Sequence, residues 1–395
     1  MNSIGTIKGE NILFLQGPMG TFFKKLHTLF SKKGAVTYKI GFNMGDQFFA
    51  SNKNYIPFRD KPEEWSKFIE TFLIEKQIDK IFLFGDCRYY QRIARSIAYE
   101  YKIDVFVFEE GYLRPHYITL EKFGVNGFSQ LSREASFYNA LPKQSIPSPK
   151  HAKASKTKMS LFVTLYYALS NLFEYRYPHY QHHRDFSATK EAFHAIRGLF
   201  RKGLYKFTER DYHHYITSTL SGKYYFVPLQ THNDFQILQH STYRSVEKFI
   251  IEVLESFSRY APKDTYLIFK HHPVDRGRKN YNKFIKEQAT LFNIEKRVLA
   301  IHDVHLPDCI KHARGTITIN STVGLTSVGY GIPTITLGDA IYDIKGLTNK
   351  GTTLKKFWHS HKKPDLNLYS KFKQYLIYTT QLNGSFYGRM PDNII

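Results

Sequence analysis

A short apolar run that breaks into a glycine-containing or acidic turn, and then into an amphipathic helix, recurs along this chain. Nothing else in the sequence limits its fold so tightly. Residues 11–16 carry the pattern first, with Ile12-Leu13-Phe14-Leu15 at the centre, then Gly17-Pro18-Met19-Gly20-Thr21 and a helical stretch over 22–32. Residues 36–40, 80–84 and 104–108 repeat it, ending in Gly41, in Gly85-Asp86 and in Glu109-Glu110-Gly111. Strands this uniformly apolar are buried on both faces, as in a parallel sheet crossed over by helices. Such sheets bind ligands beyond the carboxyl ends of their strands, so function is expected in the turns. The Gly17 loop lacks the spacing of a dinucleotide fingerprint, and no dinucleotide site is expected there.

The pattern resumes after residue 220. Tyr224-Tyr225-Phe226-Val227 leads into Gln230-Thr231-His232-Asn233-Asp234-Phe235-Gln236, residues 265–269 deliver Lys270-His271-His272-Pro273, and residues 316–319 lead into Asn320-Ser321-Thr322-Val323-Gly324. Asp234, in a polar loop just past a buried strand, is the candidate reacting carboxylate; Asn233 and Asp234 also read as turn formers or helix caps. Lys270, His271 and His272 can hold a phosphate or carboxylate at their strand end. Ser321 and Thr322 open a helix, where free backbone N–H groups attract anions; ordinary capping would use one of the two hydroxyls. In the first half, adjacent Glu109 and Glu110 raise each other's proton affinity, which suits a general acid or base. Arg114 is close enough in sequence to orient one of them or to bind an anion.

Between the two α/β stretches the character changes. Pro147, Pro149 and lysines 150, 153, 156 and 158 read as a basic linker, followed by an apolar helical stretch over 159–173, the run Tyr175-Arg176-Tyr177-Pro178-His179-Tyr180-Gln181-His182-His183-Arg184, and a helix over 187–205 with Arg197, Arg201 and Lys202. This mixture of basic and aromatic residues fits an anionic membrane surface; an ordinary pair of inter-domain helices is the other reading. The expected division is therefore 1–143, an N-terminal Rossmann-like acceptor domain; 144–216, a helical insert; 217–362, a C-terminal Rossmann-like donor domain; and 363–395, a terminal helix packing back on the body.

The chain's 395 residues suffice for two domains with full cores, and its formal charge of +22 calls for an anionic partner. No nucleic-acid-binding pattern is present, so that partner is expected to be a nucleotide-linked substrate or acidic lipid. The two cysteines, Cys87 and Cys309, make no metal spacing, and no metal site or cofactor is expected. No secretory signal is visible and the stretch 159–173 is too short to span a bilayer, so a soluble or membrane-surface cytoplasmic protein is expected. Two Rossmann-like domains with a helical insert suit the GT-B arrangement of glycosyltransferases. The chain has no Asp-x-Asp triplet, which argues against a metal-held nucleoside diphosphate sugar; a CMP-sugar, with one phosphate, needs less neutralisation.

The runs Leu15-Gln16-Gly17-Pro18, Phe42-Asn43-Met44-Gly45-Asp46, 109–119 with Gly124-Val125-Asn126, 228–234 and 270–273 together resemble the KpsS-type capsular polysaccharide β-Kdo transferases. The Glu-Glu-Gly, His-Pro and Ser-Thr motifs also resemble those of bacterial CMP-sialic acid transferases. The resemblance implies an enzyme at the inner face of the bacterial inner membrane that uses CMP-β-Kdo with retention. It implies a glycerophospholipid acceptor, lyso-phosphatidylglycerol above all, and other capsule-assembly proteins as partners. It assigns His272, Ser321 and Thr322 to the CMP moiety, Glu110 with Glu109 to acid–base work in the cleft, and Asp234, in the loop with Gln230, to the nucleophile. The rival reading is a non-catalytic glycolipid-binding or export component of the capsule machinery.

Overall fold

The computed structural model describes residues 4–50, 53–181, 188–234, 237, 239, 241–392 and 394. Phe235 and Gln236 of the loop around Asp234, and His182, His183, Arg184 and Ser187 of the basic segment, lie outside the described residues. The chain divides into two compact units, Met1–Gln130 with Gln144–Ala188 and Gln374–Ile395, and Leu131–Lys143 with Thr189–Lys373.

In the first unit β1 (Asn11–Leu15), β2 (Val36–Gly41), β3 (Tyr55–Pro57), β4 (Lys80–Phe84) and β5 (Asp104–Glu110) are parallel, in the order β5-β4-β1-β2-β3; β6 (Tyr117–Lys122) returns antiparallel on β5. Side-chain alternation along each strand sorts its residues onto two faces. Leu13, Leu15, Ile81, Leu83, Val105 and Val107 build an aliphatic core on one face, and Ile12, Phe14, Phe82, Phe106 and Phe108 a largely aromatic one on the other. Phe82 stacks between Phe14 and Phe106, with ring centroids 5.3 and 5.1 Å away. Part of the chain's phenylalanine is thus spent on packing inside this sheet.

In the second unit β7 (Tyr224–Pro228), β8 (Tyr266–Lys270), β9 (Val298–Ile301), β10 (Gly315–Thr318) and β11 (Thr334–Thr336) form an all-parallel sheet ordered β11-β10-β7-β8-β9. The helix Val246–Tyr260 buries Phe249, Ile250, Val253, Leu254 and Phe257, a stripe at helical spacing, in the same core as Tyr225, Val227, Leu267 and Phe269. The chain then returns to the first unit, where β12 (Gln381–Asn383) adds an antiparallel edge to β6.

Both parallel sheets have the Rossmann-like order in which the direction of winding reverses beside the first strand. β1 lies between β2 and β4, and β7 between β8 and β10. The carboxyl ends at these reversals are the switch points where open α/β sheets leave a crevice.

Residues 144–216 do not stay together. The helix Lys156–Leu172 belongs to the first unit, whereas Ala188–Thr208, from Thr189 on, and Tyr212–Thr217 belong to the second. The segment 363–395 is likewise shared, since its last strand completes the first unit's sheet. No helix among the described residues is long and apolar enough to cross a membrane.

Candidate functional site

At the switch point of the second unit the loops after β7 and β10 meet. Gln230 Nε2 donates to Asn320 Oδ1 at 3.0 Å and to Asp234 Oδ2 at 3.1 Å, and the Asn320 N–H reaches Gln230 Oε1 at 3.4 Å. Gln230 is buried and Asp234 half-buried. A tight turn holds the carboxylate there, with Asp234 N donating to the Thr231 carbonyl and Ile237 N to the Asp234 carbonyl, each at 3.1 Å. The buried amide of Gln230 thus links the Asp234 carboxylate to the neighbouring strand's loop.

Two residues further back the structure reveals a pair that sequence reading had not singled out. His232 Nδ1 and the His232 backbone N–H both lie 2.8 Å from the carboxylate of Asp275, which is buried in the turn after β8. A carboxylate acceptor makes Nδ1 the protonated nitrogen of the neutral ring and leaves Nε2 as a base. The available signal was an acid three residues beyond His272, in the same loop as Lys270-His271-His272-Pro273.

His272 Nδ1 accepts the Val274 N–H at 3.2 Å, capping the short 3-10 turn Pro273–Gly277. The neutral ring therefore carries its proton on Nε2, a donor suited to an anion. Ser321 caps the helix Thr322–Gly329, its Oγ accepting from Val323 N at 3.2 Å, and its carbonyl accepts the buried Tyr342 hydroxyl at 2.5 Å. A Cβ at Gly324 would lie 2.1 Å from that Tyr342 oxygen, so the glycine of this motif makes room for the tyrosine. β8 and β10 flank β7, which puts the His272 and Ser321 turns two strand spacings apart, about 10 Å, on either side of the Gln230 loop.

Lys270 and His271, expected at the donor, face the interior instead. The β8–β9 ladder continues past the strand, His271 N donating to the Ile301 carbonyl at 2.8 Å. Lys270 Nζ is buried and donates to the His302 carbonyl. His271 Nε2 accepts from Tyr281 N at 2.9 Å, and its ring stacks on His302 with centroids 4.2 Å apart. Burial, reinforced by the neighbouring His302, depresses the His271 pKa to about 3, so this ring stays neutral. Beneath it Glu209 pairs with His302 Nδ1 at 2.6 Å. Burial pushes the Glu209 carboxyl up, but hydrogen bonds from the His302 ring and from the Asp303 and His302 backbone outweigh that and hold it below the usual range.

In the first unit Glu109 and Glu110 end β5, half-buried and exposed respectively, and Glu109 Oε1 accepts the Glu110 N–H at 2.9 Å. Exposed Arg114 donates Nε to the Gly111 carbonyl at 3.2 Å. Desolvation, with a smaller push from the Glu110 charge, raises the Glu109 pKa from 4.5 to about 7. The folded state then binds this proton more tightly than the unfolded chain, so the contribution of Glu109 to stability falls as pH rises from 4.5 to about 7. Glu109→Gln should abolish that fall. Melting temperatures of wild type and variant between about pH 5 and about pH 8 should diverge in the variant's favour, and parallel curves would count against it.

The runs Leu15-Gln16-Gly17-Pro18 and Phe42-Asn43-Met44-Gly45-Asp46 converge beside this unit's switch point on a buried polar network. Asp46 accepts from Phe42 N at 2.9 Å, from the Tyr166 hydroxyl at 3.0 Å and from Gln16 Nε2 at 3.3 Å. Asn43 Nδ2 donates to the Tyr166 oxygen at 2.7 Å. Burial raises the Asp46 pKa and lowers that of nearby Lys39 to about 8. Tyr166 comes from the helix Lys156–Leu172, so these motifs fasten that helix to the sheet.

Comparison with known proteins places these features in a family. The capsule polysaccharide biosynthesis protein family matches residues 79–387. The chain is 38% identical over 381 residues to the capsule polysaccharide export protein KpsS of Escherichia coli, covering 96% of this chain and 98% of that one. It is 37% identical over 391 residues to the capsule polysaccharide modification protein LipB of Neisseria meningitidis serogroup B, covering 96% and 92%. Among solved structures, the β-Kdo 2,7 transferase of Thermosulfurimonas dismutans KpsC aligns over 97% of this chain and 96% of its own, with 14% identity and a TM-score of 0.44. By the extent and level of these sequence matches, the chain belongs to the capsule polysaccharide biosynthesis protein family.

Proposed function

We propose that this protein is a retaining glycosyltransferase that moves Kdo from CMP-β-Kdo to phosphatidylglycerol or lyso-phosphatidylglycerol, starting the poly-Kdo linker of a capsular polysaccharide at the inner face of the inner membrane. The observation that carries this reading is the Gln230–Asp234–Asn320 cluster at the switch point of an all-parallel sheet, in a chain of the capsule family. A carboxylate held by a buried amide, with an oriented histidine on the same loop, is what covalent sugar transfer requires.

In this mechanism an Asp234 oxygen attacks the anomeric carbon of Kdo. The bond to the CMP phosphate breaks, its electron pair leaving with the phosphate, and an ester forms. The acceptor hydroxyl, losing its proton to a general base, then attacks the same carbon and the Asp234 carboxylate departs. Two inversions return the β configuration. The His272 Nε2–H and the helix start at Ser321 and Thr322 serve the departing phosphate. Lys270 and His271 support the site from within the sheet and make no contact with the donor.

The test is mass spectrometry of lyso-phosphatidylglycerol incubated with the protein and a CMP-Kdo-generating system, with addition of one Kdo expected. The second reading, a non-catalytic glycolipid-binding component, draws on the E. coli relative's description as an export protein. It predicts no transfer, together with binding of a Kdo-bearing lipid made by other means.

A further inference from the structure

We infer that the helix Ala188–Thr208 is an interfacial anchor that lays its outer face into an anionic phospholipid surface. Its amphipathicity is inverted relative to that of an ordinary packed helix. Phe193, Ile196, Leu199, Phe200 and Phe207 are between 57 and 72% exposed, and Leu204 is exposed as well. At about 100° per residue these side chains span roughly 140° of the helix circumference. A surface helix of a globular domain turns such an arc inward; here it faces away from the second unit.

The opposite face shows why. Arg197 donates Nε to the Gly277 carbonyl at 2.5 Å and Nη2 to the Arg278 carbonyl at 3.0 Å, and Arg201 donates to the Arg276 carbonyl at 3.0 Å. Backbones meet beneath them, since a Cβ at Gly277 would lie 2.0 Å from the His194 carbonyl oxygen. One turn on, Tyr205 stacks on His302 with ring centroids 3.7 Å apart. The arginines that composition alone assigns to lipid are therefore the rivets that hold the helix to its own domain. Because they fix the helix by its polar side, the apolar arc is left exposed.

The charge around the arc identifies its occupant. Lys190 borders it on one side, Lys202 and Lys206 on the other, all exposed, and the chain as a whole carries a formal charge of +22. Apolar side chains flanked by lysines on both sides suit an anionic headgroup layer, with the aromatic and aliphatic groups in the acyl boundary and the ammonium groups among the phosphates. A second copy of this chain would bring lysines against lysines. The turn that receives Arg197 and Arg201 begins immediately after His272, so docking through this helix would hold the candidate donor loop close to the lipid surface. This last consequence rests on the proposed function; the lipid contact itself does not.

The test is co-sedimentation of the full-length protein with vesicles of phosphatidylcholine alone and of phosphatidylcholine mixed with phosphatidylglycerol, without donor. Wild type should bind the mixed vesicles and release them as salt rises. The double variant Leu199→Glu/Phe200→Glu should bind at least about tenfold more weakly with an unchanged circular dichroism spectrum. Lys202→Glu/Lys206→Glu, tested separately, should lose the preference for anionic vesicles. The inference is overturned if wild type ignores anionic vesicles, if Leu199→Glu/Phe200→Glu binds them as well as wild type, or if wild type self-associates in solution and that variant abolishes it. Transfer to a short-chain, water-soluble acceptor distinguishes the two readings. Its absence in wild type would sink the transferase assignment while leaving the vesicle result standing.

Discussion

Asp234→Ala is expected to lower Kdo transfer by about 10³-fold or more, which corresponds to about 4 kcal/mol of barrier, while the fold and CMP binding persist. The expectation rests on the position of Asp234, held by the buried Gln230 amide at the reversal of the sheet's winding. A carboxylate that only ended a turn or capped a helix would behave differently, its loss costing about 0.5–2 kcal/mol of stability and little catalysis. Asp234→Asn keeps the shape and removes the nucleophile, so both substitutions should silence transfer without unfolding the protein. Intact-protein mass spectrometry after a rapid quench should find one Kdo added to wild type and none to the alanine variant. Residual activity of a few per cent with β product would remove Asp234 from the nucleophile's role.

The second large effect is on stability. Asp46→Ala should destabilise the first unit by about 3–5 kcal/mol, because it strands several buried donors at once and removes the carboxylate facing a buried lysine. Phe42 N and the Tyr166 hydroxyl would lose their acceptor, Gln16 Nε2 one of its acceptors, and Lys39 its neighbouring negative charge. Tyr166→Phe, which removes a single hydroxyl from the same network, should cost about 1–3 kcal/mol. Urea unfolding followed by hydrogen exchange at the helix Lys156–Leu172 would report both. If Asp46→Ala costs under about 1 kcal/mol, the network does not hold the helix in place.

That network shows how a motif can be visible in sequence while its work is not. Gln16 and Asn43-Met44-Gly45-Asp46 stood out as parts of a family pattern beside strand ends. Their partner Tyr166 lies 120 residues beyond Asp46, in a stretch that composition suggested was a separate insert. Its place is decided by the hydrogen bonds that Asp46 and Asn43 must find once they are buried. The Lys270-His271-His272-Pro273 loop shows the same limit at shorter range. The end of an apolar run was legible, but not that the ladder with β9 would carry one residue further and take Lys270 and His271 inside, leaving His272 at the surface of the turn.

From the sequence alone came what depends on local periodicity: the strands β1, β2, β4, β5, β7, β8 and β10 with the turns at their carboxyl ends, the helices with an apolar stripe, and the family that the motifs resemble, but not β3, β6, β9 or β12. These follow from contacts between residues a few positions apart, for which a single chain segment carries the whole signal. Only the tertiary structure decided what depends on sheet order. It brought Gln230 to Asn320 across 90 residues and His232 to Asp275 across 43. It also turned Arg197 and Arg201 inward, with the apolar side chains of their helix left outside. Hydrophobic periodicity marks an amphipathic helix without saying which of its faces meets the body. At Ala188–Thr208 the backbone carbonyls of residues 276–278 made that choice, because they accept arginine hydrogen bonds that no apolar face could supply.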